Sequence, residues 1–225
     1  MDAILFDLDN TLYPPQRQLF SLIDVRINRY MTEVVGIAAA DVDGLRRRYW
    51  REYGVTLQGL IRHYDVDPED YLEYVHDVDV SCRLAPDPGL RQALAALPLR
   101  RAIFTNGSRG HAEKVLSCLG LTGLFEEIFD IRVAAYQPKP FAAPYREVCA
   151  ALGVPADRCL MVEDMPANLR TAKELGMGTI LVGEGAPDPF VDVCVERAEL
   201  VPQAVGRWLG LKVGASSHPG EFSCC

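Results

Sequence analysis

The segment AILFDLDNT, residues 3–11, joins a short apolar run to two carboxylates spaced two residues apart. Four consecutive apolar residues are typical of a strand buried on both faces. The run ends at Asp7, so Asp7 and Asp9 follow the carboxyl end of this predicted strand. One carboxylate is suited to attack and the other to move a proton, and we expect the hydroxyl of Thr11 to orient Asp9. A polar turn is the alternative interpretation, because Asp and Asn are common turn formers.

Similar apolar runs recur along the chain, with helical patterns between them. Predicted strands cover 101–105, 159–163 and 179–182, and predicted helices cover 108–120, 144–152 and 167–175. Strands that alternate with helices predict an α/β fold with a doubly wound parallel sheet. Ligands of such sheets bind beyond the carboxyl ends of the strands.

Residues 14–86 differ from this pattern, because apolar residues recur there at helical spacing and no strand is evident. We expect Asp41, Thr56 and Asp67 to cap helices in this segment. The segment is therefore predicted to be a helical cap inserted after the first strand. Residues 1–13 and 87–213 are predicted to form the core domain, and the Gly/Ser/Pro-containing tail 214–225 is predicted to be disordered.

Three further segments carry polar residues at strand ends or in loops. Thr105 and Asn106 precede a helix that begins near Ser108, where backbone N–H groups form an anion site; a simple helix cap is the alternative. Lys139 lies between two prolines in a loop that cannot be helical. Glu163 and Asp164 follow a third predicted strand, where acidic side chains either cap a helix or bind a metal.

The bulk composition is that of an ordinary globular protein, with 49% hydrophobic and 24% charged residues in 225. The net charge of −8 argues against nucleic acid and anionic membranes as partners. The first residues do not form a signal peptide pattern, and no apolar stretch is long enough for a membrane span. Seven scattered cysteines are expected to be reduced thiols, which predicts a cytoplasmic location.

Four motifs in this order resemble those of the haloacid dehalogenase (HAD) superfamily of phosphohydrolases. They are FDLDNT at 6–11, IFTNGS at 103–108, the Lys139 loop YQPKP at 136–140, and VED at 162–164. The resemblance implies a Rossmann-like core with an inserted cap. It also implies a phosphatase in which Asp7 forms an aspartyl-phosphate, and Asp9 protonates the leaving oxygen and then activates water.

The same resemblance implies how an anionic substrate is tolerated. A carboxylate that approaches a phosphate meets a repulsion of roughly 4 kcal/mol per charge pair at about 4 Å. Thr105, Asn106 and Lys139 are implied to bind the phosphate. Mg²⁺ is implied as the cofactor, with metal ligands from Asp7, the backbone carbonyl of Asp9, and Asp164. Glu163 is expected to contribute directly or indirectly, and Asn168 stands where many relatives have Asp.

A narrower resemblance concerns the pyrimidine 5'-nucleotidase branch. It rests on FDLDNTLYP at 6–14, YGVTLQGL at 53–60, HDVD at 76–79 and FTNGS at 104–108. It implies a nucleoside monophosphate as the small phosphorylated partner. Tyr53 and Thr56 are candidate contacts to the leaving group, with cap packing as the alternative, and Tyr13 is a candidate for base stacking or for a hinge.

Three other interpretations stay open. The first is a phosphatase of another small metabolite, such as phosphoglycolate or a sugar phosphate. The second is a 2-haloacid dehalogenase, which also uses the first carboxylate but needs no metal; Asp9 and the Glu163–Asp164 pair argue against it. The third is a non-catalytic binding protein with the same fold, which the presence of Asp7, Lys139 and Asp164 disfavours.

Overall fold

A computed structural model describes residues 1–183 and 188–210 of the chain. The described residues contain one sheet of six parallel strands in the order β3-β2-β1-β4-β5-β6. The strands are β1 Ala3–Phe6, β2 Arg100–Phe104, β3 Glu127–Phe129, β4 Cys159–Glu163, β5 Gly178–Val182 and β6 Val193–Val195. The predicted α/β fold with a doubly wound parallel sheet is confirmed.

Strand β1 lies at the centre of the sheet and pairs with both β2 and β4. Phe6 is in register with Ile103 on one side and with Val162 on the other. The chain builds β2 and β3 on one side of β1 and then crosses to place β4 on the other side. The order of the strands reverses at this point, and ligand crevices form at such reversals in open α/β sheets.

Side chains of β1 alternate between two hydrophobic clusters. Ile4 and Phe6 face the cluster that contains residues of α5 and α6, whereas Ala3 and Leu5 face the cluster of α7 and α8. Every residue of β1 is buried. Full burial of a Leu, Ile or Phe side chain contributes about 1.5–3 kcal/mol, so this strand fixes the centre of the sheet.

Some helices of the described residues pack on the two faces of the sheet, and others lie in the segment that follows β1. They are α1 Leu19–Arg29, α2 Ala39–Tyr53, α3 Thr56–Tyr64, α4 Pro68–Val75, α5 Pro88–Ala95, α6 Arg109–Cys118, α7 Ala142–Leu152, α8 Pro166–Glu174 and α9 Val201–Trp208. A π-helical turn, Tyr30–Val34, continues α1.

Helices α1 to α4 form a third hydrophobic cluster, which includes Tyr49, Leu60 and Tyr71. Leu19, Val80 and Leu84, near the two ends of the 14–86 segment, pack instead in the main core. This distribution is what an inserted cap requires, with its own core in the middle and its connections anchored on the sheet. The division into a cap at 14–86 and a core at 1–13 and 87–213 stays a prediction, and the tail 214–225 lies outside the described residues.

Two of the predicted helix caps are wrong. Asp41 lies in the first turn of α2 rather than at its N-cap, which is Ala38, and Thr56 is the first residue of α3 after the N-cap Val55. Asp67 does cap α4, because its side chain accepts a hydrogen bond from the N–H of Glu69. Within the described residues, none of the helices combines the length and apolar character that crossing a bilayer requires.

Candidate active site

Asp7 stands directly after β1 at the reversal point of the sheet. Its N–H donates to the carbonyl of Val162 at 2.9 Å, which continues the ladder between β1 and β4 by one residue. The backbone of Asp7 is therefore fixed by the sheet. Its carboxylate lies in the cleft between the sheet and helices α1 to α4.

Lys139 is a buried lysine, only 1% exposed. Its ammonium donates to Asp7 Oδ1 at 2.8 Å, to Glu163 Oε1 at 2.9 Å and to the carbonyl of Phe104 at 2.7 Å. All three donor hydrogens thus have acceptors. Burial alone would lower the pKa of Lys139, but the charges of Asp7 and Glu163 outweigh it and raise that pKa. The side chain is therefore a fixed positive charge beside Asp7.

The loop that carries Lys139 is held by Asn106. The side-chain NH₂ of Asn106 donates to the carbonyl of Lys139 at 3.0 Å, and its side-chain oxygen accepts from the N–H of Lys139 at 2.8 Å. Both ends of this amide are used to hold the loop. The side chain of Asn106 therefore positions Lys139, and the predicted phosphate contact of Asn106 stays a prediction.

Asp7, Glu163 and Asp164 form a cluster in which the candidate ligand oxygens lie within 4.8 Å of one another. Burial and the charge of Glu163 raise the pKa of Asp7 to about 7 and that of Asp164 to about 8. Burial is the larger cause of both shifts, and for Asp7 the positive charge of Lys139 does not fully offset it. Hard carboxylate oxygens in such a cluster are suited to Mg²⁺, so the residues fit the implied metal.

Glu163 is already satisfied by protein groups. Its Oε1 accepts from Lys139 and from the amide of Asn168, and its Oε2 accepts from the N–H of Met165 at 2.9 Å. Burial raises the pKa of Glu163, but Lys139 outweighs this effect and the net pKa is lowered. Asp7 and Asp164 are therefore the freer candidate metal ligands of the three, and the side chain of Asn168 contacts Glu163.

The expected role of Thr11 is wrong. Its hydroxyl lies 3.2 Å from Asp7 Oδ2 and 3.2 Å from Asp164 Oδ1, not beside Asp9. In the turn after β1, the hydroxyl faces the acidic cluster, so it orients the nucleophile candidate and the metal ligand candidate. Asp9 has other partners.

Asp9 is held by two residues to which the sequence analysis gave no such role. The hydroxyl of Tyr13 and the Nε2 of His111 both contact Asp9 Oδ1, the latter at 2.9 Å. Burial would raise the pKa of Asp9, but His111 and the hydrogen bond from Tyr13 outweigh it and lower that pKa. Tyr13 is buried, which excludes base stacking. Nothing in the spacing of the histidines along the chain indicates that His111 approaches Asp9.

Thr105 follows β2 and precedes α6, as the sequence predicted. Its N–H donates to the carbonyl of Phe129 at 3.0 Å, and its hydroxyl accepts from the N–H of Gly107 at 3.0 Å. The side chain of Ser108 caps α6 by accepting from the N–H of His111. Thr105 and Asn106 line the same cleft as Asp7 and Lys139.

This cleft has a volume of about 1470 Å³ and extends from the carboxylates to helices α1 to α4. Trp50 and Phe20 line it from α2 and α1 with 55% and 42% of their surfaces exposed. Thr56 also lines the cleft. Tyr53 contacts His63 at 3.0 Å instead, and it is not among the residues that line the cleft.

Sequence comparison relates the chain to proteins of several organisms. It is 27% identical to phosphate metabolism protein 8 of Saccharomyces cerevisiae over 197 residues, which are 80% of this chain but only 60% of that protein. It is 29% identical to a phosphoglycolate phosphatase of Rhodospirillum rubrum over 224 residues, which cover 92% of this chain and 90% of that one.

Solved structures share the fold at lower identity. A HAD phosphatase from Thermococcus onnurineus has a TM-score of 0.62 at 17% identity, covering 95% of this chain and 100% of that one. L-2-haloacid dehalogenase from Xanthobacter autotrophicus has a TM-score of 0.60 at 21% identity, covering 91% and 98%. Residues 1–176 match the model of the haloacid dehalogenase-like hydrolase family. The chain is therefore an enzyme that belongs to the haloacid dehalogenase-like hydrolases.

Proposed function

We propose that the protein is a Mg²⁺-dependent phosphatase that acts through an aspartyl-phosphate on Asp7. The observation that carries the proposal is the contact of Asp7 with the buried ammonium of Lys139, 2.8 Å away, inside a cluster of carboxylates. An anionic nucleophile can approach an anionic phosphate only where positive charge offsets the repulsion.

The protein groups divide the steps between them. A carboxylate oxygen of Asp7 forms a bond to phosphorus, the ester P–O bond breaks, and Asp9 gives its proton to the leaving oxygen. Asp9 then takes a proton from the water that hydrolyses the aspartyl-phosphate. Thr105, the backbone N–H groups after it and Lys139 are the proposed phosphate contacts.

Asp7, the Asp9 carbonyl and Asp164 are the proposed ligands of Mg²⁺. The metal supplies Lewis-acid stabilisation of charge on the phosphoryl oxygens. Asp9 and Asp164 also separate this proposal from dehalogenation. A dehalogenase displaces a halide, which needs neither a proton nor a metal. Dehalogenation would therefore not require a second carboxylate or an acidic cluster.

For the substrate we propose a nucleoside 5'-monophosphate, with pyrimidine bases preferred. Trp50 and Phe20 support a planar leaving group, because large apolar side chains exposed in a cleft are available to stack on a base. A cleft of about 1470 Å³ has room for a nucleotide. The second candidate is phosphoglycolate, which the similarity to the Rhodospirillum rubrum enzyme favours. Arg47 and Arg51 line the same cleft, and their guanidinium groups are suited to bind the carboxylate of this substrate.

The test is phosphate release from UMP, CMP, AMP, GMP, phosphoglycolate and sugar phosphates, with Mg²⁺ and with EDTA. We expect UMP and CMP to give the highest kcat/KM and EDTA to abolish turnover. Trp50→Ala should raise KM for UMP roughly 5- to 100-fold, the cost of one lost stacking contact, and leave phosphoglycolate unchanged.

Tyr64→Ala is the matched control, because Tyr64 is a large exposed side chain outside this cleft. A preference for phosphoglycolate, with no effect of Trp50→Ala on UMP, would reject the nucleotide but keep the phosphatase. Activity without metal would reject the proposed mechanism.

A cytoplasmic location is also proposed, supported by Cys82, Cys118, Cys149 and Cys159, which are free thiols.

A further inference from the structure

A pair of buried histidines, His76 and His111, lies beside Asp9. The side chain of His111 is 0% exposed. Its Nε2 lies 2.9 Å from Asp9 Oδ1, and its Nδ1 is buried without a hydrogen-bond partner in the described part of the chain. The polar contact of this ring is therefore with Asp9, although burying an imidazole with one nitrogen unsatisfied costs stability. An apolar residue would fill the space without that cost.

The ring of His76 stacks on that of His111, with centroids 4.7 Å apart and planes 19° from parallel. His76 ends α4, whereas His111 lies in the first turn of α6. The Nδ1 of His76 is 3.0 Å from Ser108 Oγ and 3.0 Å from the carbonyl of Leu72. Burial and the proximity of His111 lower the pKa of His76 to about 3, so His76 is a neutral ring at neutral pH. The ring of His76 packs against one face of the His111 ring and restricts its orientation.

Both donors to Asp9 approach the same oxygen. Tyr13 and His111 contact Oδ1, so a proton carried by the Asp9 carboxyl resides on Oδ2. Asp9 itself lines the cleft. Two donors on one oxygen fix the orientation of the Asp9 carboxyl plane and leave Oδ2 free to transfer a proton. Proton transfer to a leaving group at a fixed position requires such an orientation.

We propose that His111, supported by the ring of His76, is a positioning residue that aims the free oxygen of Asp9 at the leaving oxygen of the substrate. Tyr13 shares this role through the same carboxylate oxygen. The proposal rests on the proposed phosphatase function, because only there does Asp9 protonate a leaving oxygen.

The test compares leaving groups in variants of His111. UMP releases a strongly basic alkoxide that needs a proton, whereas p-nitrophenyl phosphate releases a weakly basic phenolate that does not. His111→Phe keeps a ring against His76 but has no N–H. We expect kcat/KM, which reports only the steps up to formation of the aspartyl-phosphate, to fall roughly 10- to 100-fold for UMP and less than about 3-fold for p-nitrophenyl phosphate. His111→Gln, which restores a donor near Nε2, should recover most of the loss.

Two further variants extend the test. Tyr13→Phe should give the same selective loss, and the double variant His111→Phe/Tyr13→Phe should lose less than the product of the single losses, because both donors hold one group. His76→Ala should show the same selectivity with a smaller amplitude. His63→Phe is the control, since His63 also stacks on an aromatic ring, that of Tyr49, but its side chain is exposed and does not line the cleft.

A merely structural role predicts a different pattern. Equal losses of kcat/KM on both substrates in His111→Phe, without recovery in His111→Gln, would overturn the proposal, as would unchanged kcat/KM on both. A wild-type protein that hydrolyses neither substrate with Mg²⁺ present would reject the proposed function itself. The two failures are therefore distinguishable.

Discussion

The side chains around Asp7 show how a buried lysine organises two carboxylates, those of Asp7 and Glu163. Lys139 neutralises part of the charge of Asp7 and Glu163, and Asn106 fixes its backbone. The raised pKa values of Asp7 and Asp164, about 7 and about 8, show that this neutralisation is incomplete. The residues that the motifs predicted at 7, 105, 139 and 164 do line one cleft, so the geometry allows the chemistry.

Asp7→Asn is expected to abolish turnover, by several orders of magnitude in kcat, because an amide cannot form the acyl phosphate. Asp9→Asn should lower kcat for UMP roughly 10²- to 10⁴-fold, the usual contribution of a general acid. Both amides have nearly the shape of the acid, so far-UV circular dichroism should be unchanged. Normal phosphate release by Asp7→Asn would mean that another group attacks phosphorus.

The partners of individual side chains were harder to predict from sequence than their identities. Thr11 was expected beside Asp9 but contacts Asp7 and Asp164. The turn after β1 brings the Thr11 hydroxyl back to Asp7, four residues earlier in the chain. His111 was missed because its contact with Asp9 spans 102 residues along the chain. Spacing along a chain reports local periodicity, whereas such contacts depend on how α6 docks against β1.

At the scale of elements, strands and helices were predicted where local signals were strong. Asp67 caps α4 as expected, with its side chain accepting a hydrogen bond from the N–H of Glu69. The edge strands β3 and β6 were missed because each has only three residues, of which two are partly exposed, too few for a period to show. The inner strands β1 and β4 were predicted to the residue because both faces are buried.

Gly54, at the end of α2, lies against the Lys139 loop. Its φ is +82°, and a Cβ there would stand 3.1 Å from Pro138 Cγ and 3.2 Å from the carbonyl of Lys139. Gly54→Ala should therefore lower kcat/KM, because the new methyl group pushes α2 away from the loop. It should also lose about 1–2 kcal/mol of stability from the left-handed backbone alone.

Gly153 provides the matched control for this variant. It ends α7 with φ +66° and has open space around the position of a Cβ. Gly153→Ala should lose similar stability, measured by urea unfolding, yet keep full kcat/KM. Equal activity in the two variants would mean that the contact of Gly54 with the loop has no catalytic importance.

Glu69 of α4 joins this helix to the segment after β3. Its carboxylate accepts from Arg132, at 2.8 Å for Nε, and from the hydroxyl of Tyr136. Hydrogen bonds from Arg132 and Tyr136 lower the pKa of Glu69 to about 2 from the usual 4.5. The unfolded chain thus binds more protons between these values, so this contribution to stability is present above about pH 4.5 and lost as the pH falls toward 2.

Glu69→Gln should consequently lower the free energy of unfolding by about 0.2–1 kcal/mol near pH 7, the range for a solvent-exposed pair. The difference from wild type should shrink as the pH is lowered from about 5 toward about 3. Urea titrations at each pH measure it. A difference that stays constant over this range would show that the ionised pair is not what stabilises the contact.

At the scale of the whole molecule, the chain has a net charge of −8, and its cleft places Lys139, Arg47 and Arg51 among carboxylates. The sequence predicted the parallel sheet and the place of the cleft, because strand ends in such folds converge. It did not predict which cap residues face the cleft, because Trp50 and Tyr53 have similar local patterns and differ only in how α2 packs. Under the proposed function, we expect the residues of α1 to α4 that line the cleft to select the substrate.

Metal binding should stabilise the whole fold, since the acidic cluster assembles only in the folded chain. At Mg²⁺ concentrations of about 100 times Kd, the expected gain is about 2.7 kcal/mol, seen as a higher Tm. NaCl at the same ionic strength should give a smaller gain, and Asp164→Asn should lose most of the Mg²⁺ effect. A Tm indifferent to Mg²⁺ would argue that the cluster holds no metal.

The most direct test of the account is to trap the phosphoryl group on the chain. The enzyme is mixed with UMP and Mg²⁺, quenched, and treated with borohydride, which reduces an aspartyl-phosphate to homoserine. Mass spectrometry of peptides is expected to find homoserine at position 7, and only when substrate and Mg²⁺ are both present. Steady phosphate release with an unchanged aspartate at position 7, or with the modification at another residue, would contradict the assignment of Asp7 as the nucleophile.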